Sequence, residues 1–244
     1  MSGHSHYATI KRTKEAKDAA KGKVFSRLAK EISIAVKAGG GNKDPDSNYK
    51  LRIIMEKAKA ANMPKSNIER ALSKGSEGAA MEAVSYEGYG PKGISVIVET
   101  ATDNRNRTAQ EIKSMFERVG GSLGGPGSVS FNFESKGLLV VKKRQDVQNQ
   151  MLTLIDEGVE DVEETTDAVE AYVAPGKLKE MKDKLESKGF EVTSMELYMK
   201  PKNMQAVTEG KDATKILEFL DTLDEHEDVQ NVFTNVDIPD DLVA

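Results

Sequence analysis

The hydrophobic period of this 244-residue chain changes once, near Ala83, and that change limits the fold more than any other feature. Up to about residue 75 the apolar positions recur at helical spacing. Beyond Ala83 short β-branched runs alternate with helical stripes, so the chain reads as an all-helical module followed by α+β structure.

The β-rich part has a recognisable order. Leu138–Val141 reads as a strand, and Val147, Met151, Leu154 and Ile155 form a helical stripe. Val159–Val162 and Val169–Val173 are short strands; a helix from Pro175 carries Leu178, Met181 and Leu185, and Phe190–Tyr198 is the last strand. This βαββαβ order suits a ferredoxin-like split βαβ sandwich. On either side lie two incomplete pieces. One is a strand at Ile94–Val98, a helix opened by the capping-box pattern Thr108-Ala-Gln-Glu111, and a strand at Ser128–Phe133. The other is a strand at Met204–Val207, a helix with Ile216, Leu217, Leu220 and Leu223, and a strand at Val229–Thr234. Neither covers its own sheet, so the two are expected to combine. The resulting expectation is α+β: an N-terminal helical domain (1–78), a discontinuous ferredoxin-like domain (79–135 and 203–244), and a second one (136–202) inserted in it.

Within the helical module, Val24, Leu28, Ile32, Ala35 and Val36 share one arc of a helical wheel, and Lys23, Arg27, Lys30 and Lys37 the opposite one. Continued backwards, the same helix would put Lys14, Lys17 and Lys21 on the apolar arc, which charged groups without partners do not tolerate. The sequence therefore predicts a break at Gly22 and two basic helices at an angle. Gly39–Gly41 reads as a stop and a flexible joint, Asp44-Pro45 and Asn62–Pro64 as two helix starts, and Gly75 as a helix end.

Charge divides along the same line. Residues 1–75 carry 17 Lys and Arg against 7 Asp and Glu; residues 76–244 carry 18 against 33. A basic head on an acidic body is the asymmetry expected of a phosphate-binding module. Lys11, Arg12, Lys14, Lys17, Lys21, Lys23, Arg27 and Lys30 are the candidate phosphate contacts, and Tyr7 can stack on a base. Arg105 and Arg107, beside the start of a helix where cations oppose the dipole, pair with Asp103, Glu99 or a ligand phosphate.

Other chemistries find little footing. The absence of Cys excludes disulfides, thiolate zinc sites and a Cys nucleophile. Gly88-Tyr-Gly-Pro-Lys-Gly93 fits G-x-G-x-x-G but opens no helix, and Gly120–Gly127 lacks the Lys-Ser/Thr of a phosphate loop. His4 and His6 have no further ligands, and no His stands beside a nucleophile. No cofactor, metal or catalytic role is expected. The sequence has no span of 18 apolar residues and no secretory leader, so a cytoplasmic protein is expected, with no membrane partner. No feature of the sequence fixes an oligomeric state.

The strings GHSHYATIKRTKEAKDAAKGKVFSRLAKEI, KAKAANMPKSNIERALSKG, YEGYGPKG, TDNRNRT and GGSLGGPGSV, in this order, closely resemble the YebC/PmpR family over the whole chain. That family is known as probable transcriptional regulators and is related to the mitochondrial translational activator of cytochrome oxidase. The resemblance implies a cytoplasmic, cofactor-free, three-domain α+β protein that binds nucleic acid. Either it is a DNA-binding transcriptional regulator or it acts on ribosomal RNA in the translating ribosome. His6 and Tyr7 stand where many members carry Lys and Trp. Two other classes stay open: a metabolite sensor using the loops Tyr86–Gly93 and Asp103–Thr108, and an adaptor whose acidic stretches Asp156–Asp167 and Asp221–Asp228 dock a basic protein.

Overall fold

The computed structural model describes residues 21–77, 81–239 and 242. Three helices come first: α1 (Lys21–Ala38), α2 (Tyr49–Ala60) and α3 (Lys65–Ser76). Their cores meet through Leu28, Ile32, Val36, Leu51, Ala58 and Ile68, all buried. Gly22, where the sequence predicts a break, is helical, and what precedes Lys21 lies outside the described residues. Gly39–Gly41 is a tight cap rather than a loose joint. Its amides bond back to Ala35, Lys37 and Val36 at 2.9–3.1 Å, and Gly40 and Gly41 take the left-handed φ that closes a helix. Asn48, not Asp44, caps α2: its Oδ1 accepts from the Leu51 amide at 3.1 Å, while its Nδ2 donates to the Ala35 carbonyl of α1 at 2.8 Å. One side chain thus fixes where two helices meet. Gly75 lies inside α3, and its role is packing: a Cβ there would stand 2.6 Å from the Ser33 carbonyl oxygen and 2.8 Å from the Val36 Cβ.

The first sheet contains β1 (Glu82–Tyr89), β2 (Ser95–Thr102), β3 (Ser122–Leu123) and β9 (Val229–Thr234), in the order β3-β1-β2-β9. The sequence reading lacks β1, which forms an antiparallel hairpin with β2. It also assigns the closing strand to Ser128–Phe133, whereas Ser130–Asn132 is a 3-10 turn and the closing strand is β3, inside the glycine-rich stretch. Here β1 needs Gly88, since a Cβ would lie 2.6 Å from the Ser122 carbonyl oxygen and 2.7 Å from the Phe116 ring. Helices α4 (Arg105–Arg118) and α7 (Gly210–Glu225) cover one face, with Phe116 and Phe219 in a T-shaped contact at 5.0 Å between ring centres. The pairing of β9 on β2 joins the segments expected to combine. By contrast, among the described residues β8 (Gln205–Ala206) pairs only with β10 (Val236–Asp237).

Between these pieces runs the inserted unit: β4 (Phe133–Lys142), α5 (Val147–Asp156), β5 (Asp161–Glu164), β6 (Ala168–Val173), α6 (Leu178–Ser187) and β7 (Val192–Pro201). The order β5-β6-β4-β7, antiparallel throughout, is the ferredoxin-like thread expected from the element order. Leu138–Val141 runs apolar without alternation because β4 is buried on both faces. Leu139 and Val141 face the helices, while Leu138 and Val140 join Tyr172, Tyr198, Ile97 and Phe233 in the layer between the two sheets. The molecule is α+β, with a helical module followed by two ferredoxin-like units, one inserted in the other.

Candidate nucleic-acid interface

The polar face of α1 follows from its spacing. Lys23, Arg27 and Lys30 stand four and three residues apart, so they project from one side. That side meets the corner where α7 turns into β9. Lys23 Nζ donates to the Asp224 carbonyl at 3.3 Å. Arg27 donates to the same carbonyl and pairs with the Asp224 carboxylate at 3.3 Å. Lys30 Nζ reaches the Glu227 carbonyl and Asp228 Oδ1, both at 2.9 Å.

Asp228 is the centre of this contact and is 3% exposed. Its Oδ2 accepts from Arg107 Nη2 at 2.9 Å and Thr108 Oγ1 at 2.8 Å. Burial by itself would raise this carboxyl's pKa; the hydrogen bonds from Lys30, Arg107 and Thr108 outweigh it and hold the group at about 2. Thr108 is therefore a buried link inside α4. The cap of that helix is Asn104, which accepts from the Arg107 amide at 3.1 Å. Of the partners expected for the arginine pair, Asp103 meets Arg107 at 3.2 Å, whereas Glu99 bonds to Asn231. Arg105 is exposed on the first turn of α4, with its carbonyl accepting from Tyr86.

The structure brings Lys23, Arg27, Lys30 and Arg107 together on one acidic corner. Tyr7, Lys11, Arg12, Lys14 and Lys17 lie outside the described residues, as does the Lys21 side chain. Sequence reasoning missed the internal role of Asp224 and Asp228, reading the stretch 221–228 only as an acidic surface that docks a basic protein. A signal was present in the spacing: Asp221, Asp224 and Asp228 repeat at three and four residues, the mirror of the cations on α1.

The other candidates fare differently. Four glutamates of the stretch 156–167 are paired within the inserted unit: Glu157 with Lys184 and Lys188, Glu160 with Lys136, Glu163 with Lys200, and Glu164 with Lys143. A cavity of about 470 Å³ opens where the helical module meets both sheets, and neither loop proposed for a sensor lines it. Among the described residues, no helix is long and apolar enough to cross a membrane.

Comparison with known proteins accounts for the whole chain. Residues 5–78 match the TACO1/YebC protein N-terminal domain, and residues 81–236 match the TACO1/YebC second and third domain. A probable transcriptional regulatory protein of Dictyoglomus thermophilum is 47% identical over 248 residues, covering 100% of this chain and 98% of that one. One from Geobacillus kaustophilus is 46% identical, covering 97% and 98%. The crystal structure of a conserved hypothetical protein from Aquifex aeolicus superposes with a TM-score of 0.82 at 40% identity, covering 91% of this chain and 93% of that one. By sequence over its full length and by fold, the chain belongs to the TACO1/YebC family.

Proposed function

We propose that the protein is a nucleic-acid-binding regulator of gene expression, acting in the cytoplasm without catalysis, and that it holds polyphosphate through its N-terminal cations. The observation that carries this reading is the segregation of charge: 17 Lys and Arg against 7 acidic residues in the first 75 positions, ahead of a body with the opposite balance. Its relatives' name, probable transcriptional regulatory protein, agrees with it.

In this reading the cations have two jobs. Lys11, Arg12, Lys14, Lys17 and Lys21 contact phosphates, with Tyr7 stacking on a base and Arg105 adding an exposed charge. Lys23, Arg27, Lys30 and Arg107 anchor the helical module to the acidic corner that they face.

The first target is duplex DNA at regulated promoters. A second, ribosomal RNA, is favoured by a specific observation. Arg27 and Lys30, in the middle of the polar face of α1, are engaged by the α7–β9 corner, which disfavours seating that face in a major groove and leaves contacts to backbone and shape. Anisotropy titrations with duplex DNA, run beside co-sedimentation with ribosomes across a salt series, test both. Binding that weakens by about 10³ or more between about 50 and 200 mM salt is expected for one of the two partners. Salt-independent binding, or none to either, removes the reading.

A further inference from the structure

The two crossings into and out of the inserted unit run side by side. The Lys202 amide donates to the Asn132 carbonyl at 2.8 Å, Asn203 Nδ2 donates to Asn132 Oδ1 at 3.2 Å, and Lys202 Nζ donates to the Phe131 carbonyl at 2.9 Å. In an extended strand Val129, Phe131 and Phe133 would share one face. The 3-10 turn at Ser130–Asn132 breaks that alternation: Val129 and Phe133 stay buried, while the Phe131 side chain is turned outward and is 67% exposed. It is the most exposed large apolar side chain among the described residues. Its backbone is held firmly, since the Ser130 amide donates to Glu87 and the Asn132 amide to the Val129 carbonyl, each at 2.9 Å.

The neighbours of this ring are polar and include a cation without a counter-charge. Lys202 is exposed, and among the described residues no carboxylate stands within ion-pair distance of it. The carboxylates flanking the turn are already engaged, Glu87 by backbone amides and Glu134 by Lys136 at 2.9 Å. Asn132 and Asn203 spend one acceptor and one donor on each other, which leaves an amide NH2 and a carbonyl oxygen for a ligand. A ring that anchors a protein partner sits in an apolar, desolvated surround. This one stands among Ser130, Asn132, Lys202 and Asn203. The site is also remote from the α1 contact. Asn235 ties Asn203 to the Ser95 end of β2, whereas the Asp228 carbonyl accepts from Ala101 toward the other end, about 20 Å along the strand.

We infer that Phe131 is a stacking platform for an unpaired base of RNA, with Lys202 meeting the adjoining phosphate and Asn132 and Asn203 offering a donor and an acceptor to the base edge. The inference rests on the nucleic-acid reading above and narrows its target. A base inside a duplex has no free face for the ring, whereas the unpaired loops and bulges of RNA do.

The test uses the full chain and two probes: a hairpin RNA with an unpaired, purine-rich loop, and the same RNA closed into a continuous duplex by a complementary strand. The chain has no Trp, so Phe131→Trp places a single indole on the platform. Its fluorescence should be quenched saturably by the hairpin and little by the duplex. In anisotropy titrations Phe131→Ala should weaken the hairpin about five- to a hundredfold, leave the duplex close to wild type and leave the salt slope unchanged, because the ring carries no charge. Lys202→Ala should flatten that slope by about 0.7, and Phe131→Tyr, which keeps a ring, should bind as wild type does. Hairpin binding that Phe131→Ala leaves intact, or weakens no more than duplex binding, overturns the inference while the regulator reading stands. No wild-type binding to either RNA overturns it too, and duplex DNA titrated alongside then decides the regulator reading separately. Sedimentation of the free protein covers the other occupant: self-association that Phe131→Ala dissolves assigns the ring to a second copy and overturns the inference.

Discussion

Lys30 and Asp228 are 198 residues apart in the chain and 2.9 Å apart in space. The contact ties the helical module to a buried carboxylate that Arg107 and Thr108 hold from the other side. Asp228→Asn keeps an acceptor for Thr108 but removes the charge facing two cations. Lys30 and Arg107 keep partial contact with water, which softens the loss, and the substitution is expected to cost about 2–3 kcal/mol in urea unfolding.

Acid should expose the same group. Its pKa is lowered to about 2 in the folded protein against an ordinary 3.8, so its stabilisation is complete above pH 4 and is lost as pH falls through 2. Wild type should therefore lose more stability than Asp228→Asn between about pH 4 and 2. Parallel acid limbs for the two proteins would show that the carboxylate does not carry this linkage.

Glu87 is held in a nest of backbone amides. Its carboxylate accepts from Gly127, Val129 and Ser130, each at 2.9 Å, and although burial pulls the other way these bonds keep its pKa below the usual range. This side chain closes the glycine-rich loop together with the Tyr89 hydroxyl, which donates to the Ser128 carbonyl at 2.9 Å. Glu87→Ala should speed hydrogen exchange at those three amides selectively and cost about 1–2 kcal/mol. Uniform exchange changes across the sheet would point to a different role.

The close approach of α1 and α3 depends on a missing Cβ. Gly75→Ala pushes a methyl group to within 2.6 Å of the Ser33 carbonyl oxygen, which is backbone and cannot swing away. The gain in helix propensity, about 1 kcal/mol, is smaller than the overpacking cost of up to about 3 kcal/mol, so a net loss of about 1–2 kcal/mol is expected. A thermal melt following helix content checks the sign.

How far the chain could be read in advance follows from where each signal resides. The runs Leu138–Val141 and Val169–Val173 were legible because burial on both faces keeps them almost wholly apolar, with Glu170 alone interrupting the second, and they locate the inserted unit. Strand β1 was not, because Glu82–Tyr89 is half exposed and carries Gly88 near its end, whose need is set by Phe116 and Ser122 from other elements. Helix starts were displaced where several capping residues compete. Asn48 prevailed over Asp44 because it also reaches the Ala35 carbonyl, and Asn104 over Thr108 because Thr108 is taken by Asp228. The cationic face of α1 was read correctly as a face, but its partner lies about 200 residues downstream, where no local pattern reports it.

The division of labour among the cations yields the sharpest functional prediction. Each phosphate contact contributes roughly −0.9 to the slope of log affinity against log salt on duplex DNA. Lys14→Ala and Lys17→Ala, assigned to phosphate, should each weaken binding and flatten that slope by about one, whichever DNA sequence is used. Lys30→Ala removes an equal charge from the same module, but one already spent on Asp228, whose side chain is only 4% exposed. It should lower the unfolding free energy while leaving both affinity and slope close to wild type. Measured on the same duplex, the three variants therefore separate charge that meets a ligand from charge that holds the fold. If Lys30→Ala flattens the slope as much as Lys14→Ala does, the α1 face leaves Asp228 to meet phosphate, and the anchoring role assigned to it is wrong.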